Sequence, residues 1–530
     1  MNRPLQKLGN TAAAAWSGPV TMLSEGTYPH SHGGVSVWCD QLVQGMPEFD
    51  FRVIAVTGTG REDLAWELPR NVTQVTSVPL WGPAPTRGAP RGRQLRRFLK
   101  DYELFLLSLL DPESEPHFGP QLYALAEYGR AGELGPAVRT EGALQMLTDV
   151  WNRPQLATAA SRPTLHDALT ATDLLEHALR PLNAEPPSEG ITHAVSGGLS
   201  TLPGLVANHA YGTPFLLTEH GIYLRERYLG YGGDGHRWPV KALLLGFYRM
   251  LAAEGYRRAA LVTPGNRYNR RWEERGGTPP ERIRTVYNGV DPAAFPPAGP
   301  EPEVPTLSWA GRVDPIKDLE TLIRAFAVVR ARIPDARLRI FGGVPRGGEA
   351  YRTSCEALAA ELGVAQGVVF EGRVEDIRDA YAAGNVVMLS SISEGFPFTL
   401  IEAMSCGRAT VSTDVGGVRE AVGHAGLVVP PREPEAMGRA ALELLSDPAR
   451  RARLGEQARL RIIEQFTLRQ TIDGFRDIYT DLLRQRSRPA EELPRHRGET
   501  PVLPWWAITG DQVDQDGLAD GEAQAAGGGW

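Results

Sequence analysis

The sequence predicts an α/β protein of two doubly wound, Rossmann-like domains, and three observations carry that prediction. The second half of the chain alternates short β-rich runs with helical runs, which implies a parallel sheet covered on both faces. The first half opens in the same way between Val20 and Val56 and resumes the pattern at Ile191. Between the halves, Pro292 to Pro305 holds six prolines in fourteen residues, a stretch that can neither pair in a sheet nor continue a helix. A length of 530 residues fits two or three domains rather than one.

In order, Val20 to Leu23 reads as a first strand, followed by the loop Ser24 to Gly34 and a helical pattern from Val35 to Gln44. Gly33 and Gly34 stand where a helix N-terminus lets a phosphate approach the backbone. Phe51 to Val56 is a second strand. Gly58-Thr59-Gly60 follows it without the third glycine of the dinucleotide fingerprint, so no such cofactor is predicted. From about 83 to 190 the strand signal fades into a helical insertion. Strands resume at Ile191 to Val195 and Pro214 to Thr218, the latter running into Glu219-His220-Gly221. His220 thus sits at a strand's carboxyl end, where open α/β sheets bind ligands. Leu261 to Pro264 and Ile283 to Tyr287 complete a first domain spanning 18–290, with a linker at 291–305.

The second domain, 306–465, reads as strand Thr306 to Ala310, helix Leu319 to Arg332, strand Arg337 to Phe341 and helix Ala350 to Leu362. Strand Val368 to Phe370, helix Ile377 to Ala383 and strand Val386 to Leu389 follow. A helix from Phe398 to Cys406 closes at Gly407, a C-cap residue. Thr410 to Thr413, Val418 to Val422 and Leu427 to Val429 continue the alternation, and helices from Pro434 finish it. A terminal helix is expected over 466–486 and a disordered tail over 487–530. The tail's Asp514-Gln515-Asp516 has metal-triplet spacing but no structured context, and reads as coincidence.

Composition narrows the function classes. The chain is 42% hydrophobic and 22% charged with a net charge of −7, so no basic stripe predicts a nucleic-acid partner. Arg91, Arg93, Arg96 and Arg97 read as a solvated face. Cys39, Cys355 and Cys406 are far apart, which fits neither a disulfide scaffold nor a metal pair. With no signal-peptide core and no run long enough to span a bilayer, a cytoplasmic location is expected.

Two loops carry the chemistry. Glu394 and Glu402 stand eight positions apart, with Gly395-Phe396-Pro397 after the first and the helix N-terminus at Thr399 and Leu400 between them. Backbone N–H groups there favour an anion. Gly311-Arg312 to Lys317-Asp318 places two cations at another strand's carboxyl end, where a planar guanidinium and a mobile ammonium could surround a diphosphate.

This combination resembles the retaining GT-B glycosyltransferases of family 4, whose Glu-x7-Glu and Gly-Arg-x4-Lys motifs match Glu394, Glu402, Gly311, Arg312 and Lys317. The Gly33-Gly34 loop, Glu219-His220-Gly221 and Thr413-Asp414-Val415-Gly416-Gly417 match as well. The run Leu23 to Ser36 and the helical insertion are similar to the branch that makes the Pel exopolysaccharide. The resemblance implies two Rossmann-like domains facing a central cleft and transfer of a hexose from a nucleotide sugar, UDP-glucose or similar, to a glycan or small-molecule acceptor. Arg312 and Lys317 would stabilise the leaving diphosphate, Glu402 would bind ribose, and Glu394 with Gly395, Phe396 and Pro397 would hold the sugar. His220 would approach the sugar from the first domain, and Gly33 and Gly34 would admit the phosphate. Neither metal nor cofactor is then required.

The sequence leaves two rival readings open. The same scaffold carries UDP-sugar 2-epimerases, which eliminate and re-add UDP. The protein could also be a non-catalytic nucleotide-sugar-binding subunit with membrane-bound polysaccharide-synthesis partners.

Overall fold

The β-rich runs become strands because most are buried on both faces, as a helix-covered parallel sheet requires. The computed structural model describes residues 18–83, 87–154, 156, 162–231, 235–345 and 347–486. The tail from 487 on, with its Asp-x-Asp triplet, lies outside the described residues.

The first sheet holds β1 (Val20–Glu25), β2 (Phe51–Thr57), β3 (Val72–Pro79), β4 (Ile191–Ala194), β5 (Phe215–Glu219) and β6 (Leu261–Pro264), in the order β3-β2-β1-β4-β5-β6. The second holds β7 (Thr306–Ala310), β8 (Arg337–Phe341), β9 (Val368–Gly372), β10 (Val386–Leu389), β11 (Ala409–Thr413) and β12 (Leu427–Val429), in the order β12-β11-β10-β7-β8-β9. Each sheet therefore repeats one doubly wound plan, and its order reverses between its first and fourth strands. Ligands bind at the carboxyl ends of the two strands that flank such a reversal. In the second sheet these are β7 and β10, paired in parallel with Val386 opposite Leu307 and Met388 opposite Trp309.

The insertion is helical. Helices Gly92–Leu110, Phe118–Arg130, Leu134–Val138, Glu141–Trp151 and Leu165–Leu179 lie between β3 and β4. Leu165–Leu179 starts at a reciprocal cap in which Thr164 and Asp167 satisfy each other's backbone N–H groups. The insertion adds to the first domain's core rather than forming one of its own. Phe98, Tyr102, Phe105 and Phe118 share one buried cluster with Leu23 and Ile54 of the sheet. The arginines at 91, 93, 96 and 97 are exposed.

The structure differs from the sequence reading in three places. Strand β3 was not predicted; it is an edge strand whose polar residues are half-exposed, so it lacks a buried strand's apolar run. Ile283 to Tyr287 makes one bridge to Val262 rather than a strand, because only the N–H groups of Arg284 and Val286 bond across, to Val262 and Pro264. The proline-rich stretch is held along the second unit instead of running free. Ala298 N–H bonds to the Cys406 carbonyl at 2.9 Å, and Glu301 pairs with the buried Arg451.

The chain divides into two compact units. One comprises the residues up to Thr263, Trp272–Arg284 and the terminal helix from Gly474; the other comprises Pro264–Arg271 and Thr285–Asp473. No helix among the described residues is long and apolar enough to cross a membrane.

Candidate functional site

At the reversal point of the second sheet, the loops after β7 and β10 are stitched together. Ile392 N–H donates to the Ile316 carbonyl at 2.9 Å, and the Ser390 hydroxyl to the Lys317 carbonyl at 2.7 Å. These bonds bring Lys317 and Glu394 together across 77 positions of sequence. Lys317 Nζ lies 2.5 Å from Glu394 Oε1, which also accepts from the Ser391 hydroxyl at 2.6 Å. Glu394 is 10% exposed and Lys317 21%, so the pair is largely shielded from water. Arg312, one residue past the Gly311 that follows β7, is exposed and has no ion-pair partner among the described residues.

Helix Phe398–Ser405 begins at Pro397 with no side-chain cap. Leu400 N–H is taken by the Pro397 carbonyl at 3.2 Å, so the N–H groups of Phe398 and Thr399 are the ones left without a partner among the described residues. Thr399 and Leu400 line a small hollow with Ala310 and Leu389 from the ends of β7 and β10. In the loop, the Gly395 carbonyl accepts from Gly417 N–H at 2.8 Å, and the Phe396 carbonyl from Asn288 Nδ2 at 3.0 Å. What Gly395 and Phe396 offer a ligand is therefore N–H groups. The Phe396 ring is buried between Tyr287 and Phe466, each with its centroid 5.1 Å away, and anchors the loop from below.

Two glycines make this packing possible. Gly416 has φ +54°, and a Cβ there would lie 1.8 Å from the Glu394 carbonyl oxygen; Gly342 has φ +145°, and a Cβ there would lie 1.6 Å from the Gly311 carbonyl oxygen. Each lets a neighbouring loop press against a motif loop.

Glu402 lies one turn into the helix and is partly buried. Its Oε2 accepts from the Tyr381 hydroxyl at 2.5 Å, and burial pushes its carboxyl up to about 7 although that hydrogen bond opposes the shift.

In the first unit, helix Gly34–Gly45 starts at Gly33, which is exposed and faces open space. Trp38 of that helix packs edge-on against His220, 4.5 Å between centroids, so the glycine pair and His220 share one corner of the unit. Burial lowers His220 to about 4, keeping the ring neutral, and its Nε2 is buried with no hydrogen-bond partner among the described residues. Beside it, Glu219 is fully buried, accepts from the Tyr256 hydroxyl at 2.5 Å and is raised to about 7 by burial. Glu25, at the end of β1, accepts from Leu199 N–H, Tyr223 and Arg227.

Ser391, Tyr381 and Glu25 were missed by sequence reasoning. Glu25 was detectable in principle, because it ends the first strand; Tyr381 carries no local signal of its partner. Elsewhere, a cavity of about 550 Å³ at the amino ends of β7 and β8 is lined by Arg337, Arg339 and Glu371 and touches no motif residue. Asp173, Glu176 and His177 bring three potential metal ligands together in the insertion, but the Glu176 carboxylate already holds Arg139 and Arg180.

Residues 304–447 match the family described as Glycosyl transferases group 1, and residues 19–281 match a domain of unknown function, DUF3492. A D-inositol 3-phosphate glycosyltransferase of Rhodococcus jostii is 30% identical over 319 residues, which covers 57% of this chain and 69% of that protein. The chain belongs to the group 1 glycosyltransferases. Among other relatives of the same description, the Stackebrandtia nassauensis protein is 32% identical, and the match covers 41% of this chain and 52% of that one. The chain thus spans between about half and two thirds of such relatives.

Solved structures agree on the fold. Sucrose-phosphate synthase of Thermosynechococcus elongatus aligns over 88% of this glycosyltransferase and all of that chain, with TM-score 0.57 and 19% identity. The Anabaena protein HepE, solved with UDP, aligns over 87% and 100% with TM-score 0.58 and 15% identity. With the two matching sheets, these assign the GT-B fold of two Rossmann-like domains.

Proposed function

We propose that this glycosyltransferase is a retaining member of family 4 that moves a hexose from a nucleoside-diphosphate sugar, UDP-glucose or a close relative, to a glycan or small-molecule acceptor. The observation that carries the proposal is the Lys317–Glu394 pair at the reversal point of the second sheet, beside a helix N-terminus with free N–H groups and an unpaired Arg312. Two cations and a carboxylate are assembled there, and one of the cations, Arg312, has no ion-pair partner among the described residues. The UDP bound in the HepE structure, on the same fold, supports a nucleotide donor.

In this reading the diphosphate sits over the N–H groups of Phe398 and Thr399, between Arg312 and Lys317. Glu394 Oε2 and the N–H groups of Gly395 and Phe396 receive the sugar, and Glu402 receives the ribose. The acceptor oxygen bonds to the anomeric carbon on the face the phosphate leaves. The C–O bond to phosphate breaks with its electron pair, and the acceptor proton passes to the departing phosphate oxygen. Charge grows on the diphosphate as that bond breaks, and positive groups fixed beforehand at that point lower the barrier most. These side chains supply that charge themselves, so the reading requires no metal. Within the first unit, a neutral His220 suits a hydroxyl better than an anion, and Gly33 faces open space at a helix N-terminus. The likeness of the Leu23 to Ser36 run to the Pel branch extends the proposal to exopolysaccharide synthesis in the cytoplasm, with membrane-bound synthesis partners.

Removing one such charge costs on the order of 100-fold or more in turnover. Lys317→Ala and Glu394→Ala should each abolish sugar transfer, followed with radiolabelled donor, while circular dichroism stays unchanged. Full activity in both variants overturns the assignment. Donor isomerised in the absence of acceptor would favour the epimerase reading instead.

A further inference from the structure

Both motif carboxylates are anchored by one oxygen only. Glu394 Oε1 takes Lys317 and Ser391, and Glu402 Oε2 takes Tyr381. Glu394 Oε2 and Glu402 Oε1 have no partner among the described residues. For Glu402 the anchor is rigid. Tyr381, on helix Ile377–Ala382, is fully buried in a cluster with Ala310, Phe341, Val387, Ala403 and Cys406. Its carbonyl accepts from Arg408 Nε at 3.2 Å, so both backbone and ring are fixed. A phenol so deeply buried stays protonated and can only donate to the carboxylate beside it.

A carboxylate oxygen has two lone pairs, and one oxygen left free at a fixed angle can accept from two vicinal hydroxyls. We infer that Tyr381 is a positioning residue for nucleotide recognition: it clamps Glu402 Oε2 so that Oε1 is presented to the 2′- and 3′-hydroxyls of the donor's ribose. The inference rests on the reading of the second unit as a donor site with Glu402 at the ribose. It adds the residue that gives Glu402 its orientation, and it predicts an effect confined to the ribose.

The test measures dissociation constants by calorimetry for UDP, GDP and ADP and for their 2′,3′-dideoxy forms. The proteins are the wild type, Tyr381→Phe, Glu402→Gln and the double variant. The wild type should prefer the ribose form, and Glu402→Gln should erase most of that preference. Tyr381→Phe should cut the preference by about three- to tenfold, the scale of one ordinary net hydrogen bond, with dideoxy affinity unchanged. The double variant should match Glu402→Gln alone, as when one residue acts through the other.

Equal loss for both forms in Tyr381→Phe, or an unchanged ratio, overturns the inference and leaves the donor site standing. An intact preference in Glu402→Gln, or no binding by any of the three ribonucleotides, overturns the donor-site reading and this inference with it. If Tyr381→Phe alone does not fold, the double variant decides, since it removes the buried charge together with the hydroxyl. A ratio lower than that of Glu402→Gln overturns the proposal.

Discussion

Glu219 and Glu402 sit in different units yet share one arrangement, a buried carboxyl raised to about 7 that accepts from a tyrosine hydroxyl. In each case burial outweighs the hydrogen bond, so the proton is held to a higher pH than on an exposed carboxyl. The consequence for stability has a definite sign. The folded-state value lies above the ordinary 4.5, so the stabilisation from Glu219 is complete below about pH 4.5 and is lost as the pH rises through about 7. Glu219→Gln, which never ionises, should be the more stable protein at pH 8 by roughly 1–3 kcal/mol, with little difference at pH 5. Melting temperatures of both proteins at pH 5, 6.5 and 8 check this, and a lower melting point for Glu219→Gln at pH 8 would contradict it. The sequence showed Glu219 at a strand end but not its burial, which depends on Tyr256, 37 residues away. Tyr381 was hidden for the same reason: its helical run reads only as an apolar face, and its partner lies 21 residues on, past a strand and a loop.

At the scale of elements, the second half was legible because each βα unit declares itself through a short apolar run, a polar loop and a helix. The eight-residue spacing of Glu394 and Glu402 across a strand-to-helix turn places Glu394 at the carboxyl end of that strand and lets Glu402, one turn into the helix, face the same crevice. Packing between loops was not legible, since β10's loop is shaped by Gly416 from the loop after β11 and by Asn288 from well before β7. The sequence offered Gly416 only as part of a motif; its positive φ and contact with the Glu394 carbonyl are what require glycine. Gly416→Ala should force those loops apart, costing about 1–3 kcal/mol of stability, as overpacking does. Nucleotide affinity should fall with it because Glu394 and Gly395 move. Denaturant melts combined with calorimetry check both effects, and wild-type affinity in a destabilised variant would separate the loop from the ligand.

At the scale of the whole molecule, the two halves differ in what they share with other proteins. The second half matches the group 1 transferases over 304–447, where the motif loops lie, whereas the first matches a domain without assigned function that includes the helical insertion. Donor binding should therefore depend on the second unit and be indifferent to the insertion. A ligand that binds only the folded protein stabilises it by about 2.7 kcal/mol at one hundred times its dissociation constant. For domains of this size that is a rise of several degrees, at about 2–4 °C per kcal/mol. Melting curves with UDP-glucose, GDP-mannose and ADP-glucose should show this rise for one base above the others, since the diphosphate contacts are common to all three. Lys317→Ala should abolish the rise. Trp81→Ala should keep it, because Trp81 is an exposed ring tilted against His177 of the insertion, 4.2 Å between centroids, and belongs to the other unit. If the rise survives Lys317→Ala but disappears in Trp81→Ala, the nucleotide binds the first unit, and the division of labour between the two sheets is reversed.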